Sequence, residues 1–192
     1  MKRFFKKNSL SLIEVVISSG IIITIFFLVY NWYFSTTNLT ETTKIKTELQ
    51  AKARYAMQFM INELKNTTRT STQNPSPNLV IPSKPNNKSV HFYLPKKDSK
   101  GDINLTDDNN IEWDSDNQIK YEYIPGQKIL RRLEKGNQKI LANYVTDVQF
   151  IDHNIESSLA LNEVKIILTL SKETKKNRNV ELTLTGIVNL RN

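Results

Sequence analysis

The chain has 192 residues, with 27 lysines and arginines against 19 acidic residues, so its formal net charge is +8, and it contains no cysteine. A chain of this length forms one compact domain of ordinary size plus an appendage, which argues against a multidomain enzyme. Because cysteine is absent, disulfide frameworks, thiolate zinc sites, catalytic thiols and lipid-modified cysteines are all excluded.

The positive charge is concentrated at the N-terminus. Lys2, Arg3, Lys6 and Lys7 all precede Asn8, and no acidic residue accompanies them. The sequence pI of about 9.5 therefore partly reflects a basic leader. Such a pI is weak support for nucleic-acid binding, and no specific nucleic-acid partner is predicted.

An apolar stretch follows, from Leu10 to Phe34, and Glu14 is its only ionisable group before Tyr30. A helix of this length is about 37 Å long at roughly 1.5 Å per residue, which is enough to cross a hydrocarbon core of about 30 Å. Tyr30, Trp32 and Tyr33 mark its C-terminal end, where aromatic side chains favour the membrane interface. We predict one membrane-spanning helix.

The flanking charges orient this helix. The basic cluster precedes it, and only Lys44 and Lys46 follow it closely. The positive-inside rule therefore keeps the N-terminus in the cytoplasm and places everything after Phe34 outside it. A cleaved secretory signal is the alternative, but no A-x-A-like site follows the apolar run, and the run is long for such a signal.

Glu14 is unusual within an apolar helix. An acidic side chain costs on the order of 2.5 to 3.5 kcal/mol near the bilayer centre, so its presence indicates a functional role by default. The alternative is that Glu14 lies close enough to the cytoplasmic face to stay hydrated.

The segment KKNSLSLIEVVIS (residues 6–18) resembles the cleavage and methylation segment of the type IV pilin and pseudopilin family. In that family a prepilin peptidase removes a short basic leader on the cytoplasmic side, and the new apolar N-terminal residue is N-methylated. The resemblance implies that Lys6 and Lys7 belong to the leader, that cleavage falls between Ser9 and Leu10, and that Leu10 is methylated. The family nearly always has Gly where this chain has Ser9. Serine is small enough for a cleft shaped for glycine, although its side chain is expected to slow cleavage.

The resemblance also implies how the mature segment is used. Cleavage would create a positive α-amino group on Leu10. Ser11, the next residue, would begin the polar-then-apolar triplet that leads to Glu14. Assembly would place that amino group against Glu14 of a neighbouring subunit, where a desolvated pair attracts strongly. The implied partners are other pilins or pseudopilins through the N-terminal helix, the prepilin peptidase, the inner-membrane assembly platform and membrane lipid.

The helical pattern continues past the apolar stretch to about Lys65 without Pro or Gly. Apolar residues recur mostly every three or four positions and form one stripe: Leu39, Ile45, Leu49, Ala53, Ala56, Met57, Met60, Ile61 and Leu64. Packing on a sheet is favoured over a coiled coil, because the stripe lacks regular flanking charge pairs. We therefore divide the chain into a leader (1–9), a membrane and assembly helix (10–34), its amphipathic continuation (35–66) and an extracytoplasmic β-rich domain (67–192).

The rest of the chain predicts antiparallel strands after a polar, proline-bearing connector at 67–85. Two turn signals, Pro125-Gly126 and Gly136-Asn137, separate apolar runs. Alternation marks the strands: Ile119, Tyr121 and Tyr123 before the first turn, Lys128 to Leu133 after it, then Val164, Ile166, Leu168, Leu170, Val180, Leu182, Leu184, Val188 and Leu190. A long N-terminal helix followed by antiparallel strands is an α+β fold, with the sheet packed on the helix stripe.

Three later stretches, ILRR (129–132), ILANYVTDVQF (140–150) and VNLRN (188–192), are similar to the J-type minor pseudopilin of type II secretion and to W-type minor pilins. The resemblance implies a minor subunit of the bacterial inner membrane that helps initiate or cap a filament in a type II secretion, type IV pilus or competence machine. The alternative is an uncleaved, single-pass membrane protein whose outward domain binds a ligand or an envelope partner.

No catalytic residue, metal site or cofactor is predicted. His91 and His153 are the two histidines, and no G-x-S-x-G, P-loop, H-E-x-x-H or dinucleotide motif occurs. Asp152 and Ser157 lie near His153, but sequence adjacency is not the geometry of a catalytic triad.

Two charged segments have alternative interpretations. The acidic segment 107–116 lacks the EF-hand glycine and the terminal glutamate, so a solvated loop is favoured over a calcium site. The basic hairpin tip 172–179 lacks interleaved aromatic residues, so a solvated tip is favoured over contact with DNA phosphates.

Overall fold

The computed structural model describes residues 11–69, 78–107 and 110–191. These residues form one helix, α1, followed by eight strands, β1 to β8. The chain divides into two compact units, residues 1–44 and 45–192. The first contains the N-terminal part of α1, and the second contains the rest of α1 and all of the strands. The predicted α+β fold, a long N-terminal helix packed against antiparallel sheets, is confirmed.

The first unit contains the N-terminal, apolar part of α1. The whole helix runs Leu12–Leu64. This helix is long and apolar enough near the N-terminus to span a membrane. Polar side chains within it bond to carbonyls of the preceding turn: Thr24 Oγ1 donates to Gly20 at 2.9 Å, and Asn31 Nδ2 donates to Phe27 at 2.9 Å. Such internal bonds reduce the cost of placing polar groups in lipid.

In the second unit, α1 buries one face. The buried side chains are Ile45, Leu49, Ala53, Ala56, Met57, Met60 and Leu64, and they belong to one core with the strands. The predicted packing of the stripe on a sheet is therefore confirmed, and the coiled-coil alternative is wrong. Leu39, which the pattern places on the stripe, is 66% exposed. The buried stripe begins at Ile45.

Five antiparallel strands form the first sheet in chain order. They are β1 (Leu79–Val80), β2 (Ser89–Phe92), β3 (Ile119–Ile124), β4 (Ile129–Glu134) and β5 (Asn137–Asn143). The predicted turn between β3 and β4 is the 3-10 turn Pro125–Gln127. The next turn consists of Lys135 and Gly136, both with positive φ, so Asn137 is already the first residue of β5. Positive φ at both central residues suits the twist of a two-residue hairpin.

Three antiparallel strands form the second sheet, in the order β6 (Val145–Asp152), β7 (Glu163–Glu173) and β8 (Asn179–Asn189). The alternating apolar residues of β7 face the core, as predicted. The loop between β7 and β8 is shorter than the predicted tip, because Lys172 and Asn179 lie in the paired strands. Tyr144, with a φ of 65°, lies between the last strand of the first sheet and the first strand of the second.

Two contacts join the C-terminal part of α1 and the residues just after it to β8 and the residues that follow that strand. An added Cβ at Gly186 of β8 would lie 3.0 Å from Met57 Sδ and 3.1 Å from Ile61 Cδ1, so the absence of a side chain there lets α1 pack closely. The backbone N–H of Arg191 donates to the carbonyl of Thr67, just beyond the helix, at 2.9 Å. The closing strand therefore holds the C-terminal end of α1.

We expect Gly186→Val to destabilise the protein by about 1 to 3 kcal/mol, because the new side chain overpacks against Met57 and Ile61. Because valine favours strands more than glycine does, a lower free energy of unfolding would come from the steric effect and not from strand propensity. Thr185→Val, on the exposed side of the same strand, is the control and should change the free energy of unfolding by less than about 0.5 kcal/mol. Urea titration of the full chain in detergent measures both, and equal losses would contradict the close-packing explanation.

Candidate functional site

The residues predicted to be processed lie at the N-terminus. Lys6, Lys7, Ser9 and Leu10 are outside the described residues, so their roles stay predictions. The described chain begins at Ser11, and the geometry of the candidate site is that of the first turn of α1.

Ser11 caps the N-terminus of α1. Its carbonyl accepts hydrogen bonds from the backbone N–H groups of Glu14 at 2.9 Å and Val15 at 3.2 Å. Its own backbone N–H donates to Glu14 Oε2 at 3.0 Å. This is the glutamate half of a capping box, for which S-x-x-E is the sequence signature. The negative charge of Glu14 also lies at the positive end of the helix dipole.

The family resemblance implies an intermolecular role for Glu14, which stays a prediction, and the geometry shows an intramolecular contact with Ser11. The spacing of Ser11 and Glu14 is the signal that identifies this contact. A carboxylate offers about four acceptor positions, and the Ser11 N–H occupies one of them. Glu14 can therefore hold its own helix terminus and still accept a further donor, such as an ammonium group.

The helix surface that follows is apolar on all sides. Every large hydrophobic side chain from Leu12 to Phe34 is at least 48% exposed in the chain. A contiguous exposed apolar surface of this kind marks a contact with membrane or protein. The rings of Tyr30 and Phe34 stack at its end with centroids 6.2 Å apart, and Trp32 is 71% exposed beside them.

Glu48 joins α1 to β7 in the second unit. Lys172 Nζ and Lys52 Nζ each donate to its carboxylate at 2.8 Å, and both ammonium groups lie over the ring of Tyr144, at 4.7 and 4.5 Å from its centroid. The hydrogen bonds from Lys172 and then Lys52 lower the pKa of Glu48 from 4.5 to about 2. Lys172 is therefore bound to the helix, whereas its sequence context suggests a solvated hairpin tip.

Glu63 joins the last turn of α1 to the first sheet. Arg132 Nε donates to Glu63 Oε1 at 3.1 Å and to Oε2 at 2.9 Å, and Arg132 Nη1 donates to Glu134 at 2.6 Å. The buried Tyr121 hydroxyl also donates to Glu63. Desolvation, followed by the charge of Glu63, raises the pKa of Tyr121. The cluster ties the end of α1 to β3 and β4.

Asp152 and His153 have separate partners. The Asp152 carboxylate accepts a hydrogen bond from Arg69 Nη2 at 2.5 Å, and His153 Nδ1 lies 2.6 Å from the carbonyl oxygen of Leu159. Arg69 follows the end of α1, so Asp152 also holds this end of the helix to the second sheet.

The loop between β2 and β3 borders a cavity of about 730 Å³, lined in part by Asn66, Leu94, Lys97 and Asp114.

In the described part of the acidic segment 107–116, Glu112 accepts a hydrogen bond from Lys96 Nζ at 2.6 Å. Asp108 lies outside the described residues. Among those that are described, no three acidic or histidine side chains come together in a way that could hold a metal ion.

Among the residues that the sequence predicts to act in assembly, the structure describes Glu14 and Ser11. A hydrogen bond joins these two residues. Glu48 and Glu63 make structural contacts between α1 and the strands, and local sequence patterns do not identify them. Comparison with protein-family models, with curated proteins and with solved structures found no match.

We expect Arg132→Met to destabilise the protein by about 3 to 5 kcal/mol, because it leaves the carboxylate of Glu63 beside the buried Tyr121 without its counter-charge. Arg131→Met is the matched control on the adjacent residue. Its partner Glu122 keeps a second hydrogen bond from Lys120 Nζ at 2.6 Å, so the expected loss is about 1 kcal/mol or less. Chemical denaturation of both variants measures the difference, and similar losses would contradict the assigned role of Glu63.

The Glu48 cluster predicts a pH dependence of stability. Folding lowers the pKa of Glu48 from 4.5 to about 2. The stabilisation that the Glu48 carboxylate gives the folded chain is therefore complete above pH 4.5 and is lost as the pH falls towards 2. Glu48→Gln should therefore have a lower Tm than the unmodified chain at neutral pH, and the gap should narrow through this range. Thermal unfolding followed by circular dichroism tests this, and a gap independent of pH would contradict the ion-pair assignment.

Proposed function

We propose that the chain is a minor pilin or pseudopilin, a structural subunit that helps initiate or cap a type IV pilus-like filament. The observation that carries this proposal is the Glu14 carboxylate at the start of an exposed apolar helix, 3.0 Å from the backbone nitrogen of Ser11. After the predicted cleavage, Ser11 is the second residue of the mature chain. The acidic side chain is thus directed towards the terminus that processing would create.

Processing would supply the partner of this carboxylate. Prepilin peptidase cuts between Ser9 and Leu10 behind the leader residues Lys6 and Lys7, and Leu10 becomes the N-methylated terminus. In a bundle of apolar helices, its ammonium group pairs with Glu14 of a neighbouring subunit. Leaving either charge unpaired in such surroundings costs several kcal/mol, so the pair favours correctly docked subunits over misplaced ones.

The membrane arrangement follows from the charges that flank the apolar helix. The basic leader stays in the cytoplasm, the helix crosses the bacterial inner membrane once, and the strand-containing unit lies outside the cytoplasm. From there the subunit passes into the pilus or pseudopilus through the assembly platform. Its role is structural, and no step of chemistry is assigned to its side chains.

A second candidate function is that of an uncleaved, membrane-anchored binding protein. Ser9 in place of the family's usual glycine favours this candidate, and so does the cavity of about 730 Å³ beside the loop that precedes β3. The two candidates differ in whether the N-terminal charges are used. An anchored binding protein needs the apolar helix but does not need Glu14.

We expect Glu14→Val to insert in the membrane normally but to enter sheared filaments about tenfold less efficiently or worse, because the neighbour's ammonium group loses its partner. The matched control is Ser19→Val in the same exposed segment, since Ser19 Oγ bonds to the carbonyl of Val16 in its own helix at 2.8 Å.

Both variants replace the chromosomal copy in the native bacterium, and immunoblots compare the membrane fraction with the sheared filament fraction. Equal incorporation of Glu14→Val and Ser19→Val would contradict the pairing mechanism. Absence of the unmodified chain from filaments would instead support the anchored binding protein.

A further inference from the structure

The outer edge of β5 has no partner strand among the described residues. β5 is the last strand of the first sheet, and β4 is its partner on the inner side. Residues 137–140 are exposed along this edge. Among the described residues, no backbone hydrogen bond joins β5 to any segment other than β4. An edge of this kind is a template for a strand from another polypeptide.

An aromatic pair on α1 lies beside this strand. The rings of Tyr55 and Phe59 have centroids 6.2 Å apart, and Tyr55 is 51% exposed. Lys139 of β5 places its ammonium group 4.2 Å from the Phe59 centroid and 6.0 Å from the Tyr55 centroid. A lysine that extends outward discourages strand pairing at an edge. Lys139 is folded back over the rings of α1 and leaves the edge open.

The charge beside this edge is positive and uncompensated. Within the described residues, Lys139 makes no ion pair. The two glutamates of α1 in this unit, Glu48 and Glu63, are both bound by cations from the strands. Aromatic side chains are enriched in protein interfaces, and the exposed Tyr55 is such a side chain next to an unpaired cation.

We infer that Tyr55, Phe59, Lys139 and the free edge of β5, together the β5 edge surface, bind an acidic polypeptide segment of a partner protein. The segment adds as a strand along β5 and places a carboxylate on the ammonium group of Lys139. A second copy of this chain is a poor occupant, because its β5 edge surface would bring a second Lys139 against the first, and like charges repel. The inference goes beyond the proposed function, since this surface requires neither cleavage nor filament assembly.

The full chain in detergent micelles is titrated with three fluorescein-labelled hexapeptides that alternate valine with glutamate, glutamine or lysine, and binding is followed by fluorescence anisotropy. We expect the glutamate peptide to bind most tightly. Lys139→Gln and Tyr55→Ala should each weaken its binding about tenfold, because each removes a central contact of the surface. Lys100→Gln, at an exposed loop position with the same loss of charge, is the matched control and should leave binding unchanged.

Hydrogen exchange locates the bound peptide. Backbone amides of residues 137–140 should gain protection when the glutamate peptide binds, and near-ultraviolet circular dichroism verifies that each variant is folded. Equal weakening by Lys139→Gln and Lys100→Gln would reveal only general attraction to a basic chain and would overturn the inference. Failure of the glutamate peptide to bind, or binding without protection of 137–140, would overturn it as well.

Discussion

The burial of one face of α1 is the constraint on which the rest of the strand-containing unit depends. Both sheets contribute to it, because Gly186 of the second sheet admits Met57 at close range while Arg132 of the first sheet binds Glu63. The first part of the same helix exposes large apolar side chains from Leu12 to Phe34. One continuous element therefore has two surface patterns, one suited to lipid or other apolar helices and one suited to a folded domain.

In α1, the carboxylates of Glu14, Glu48 and Glu63 accept hydrogen bonds from donors of different origin. Glu48 and Glu63 accept hydrogen bonds from cationic side chains on strands of the same chain. These bonds hold the strands against the helix. Glu14 accepts a backbone N–H from Ser11 within its own first turn and keeps acceptor positions for another group. In our proposal that group comes from a neighbouring subunit, so a carboxylate that stabilises one helix end also selects the next subunit.

Local patterns in the sequence predict the elements with strong periodicity. The stripe from Ile45 to Leu64 and the alternation in β7 identify a helix face and a strand face, and turn dipeptides identify the β3–β4 hairpin. They do not predict β1 and β2, which have two and four residues, nor the division into two sheets at Tyr144, a residue with no turn signature. Glu48 and its partner Lys172 are 124 residues apart, so only the folded chain brings them together. Glu14 is identifiable because a charge within an apolar run is costly, and its contact with Ser11 follows from the S-x-x-E spacing.

The assembly role proposed for Glu14 requires that cleavage creates an α-amino group on Leu10, and this cleavage can be measured directly. Mass spectrometry of the N-terminal peptide is carried out on native membranes from strains with and without prepilin peptidase. We expect a peptide that begins at N-methylated Leu10 in the first strain and is absent from the second. An uncleaved leader in both strains would contradict the proposal, because Ser9 would then block processing and Glu14 would have no ammonium partner.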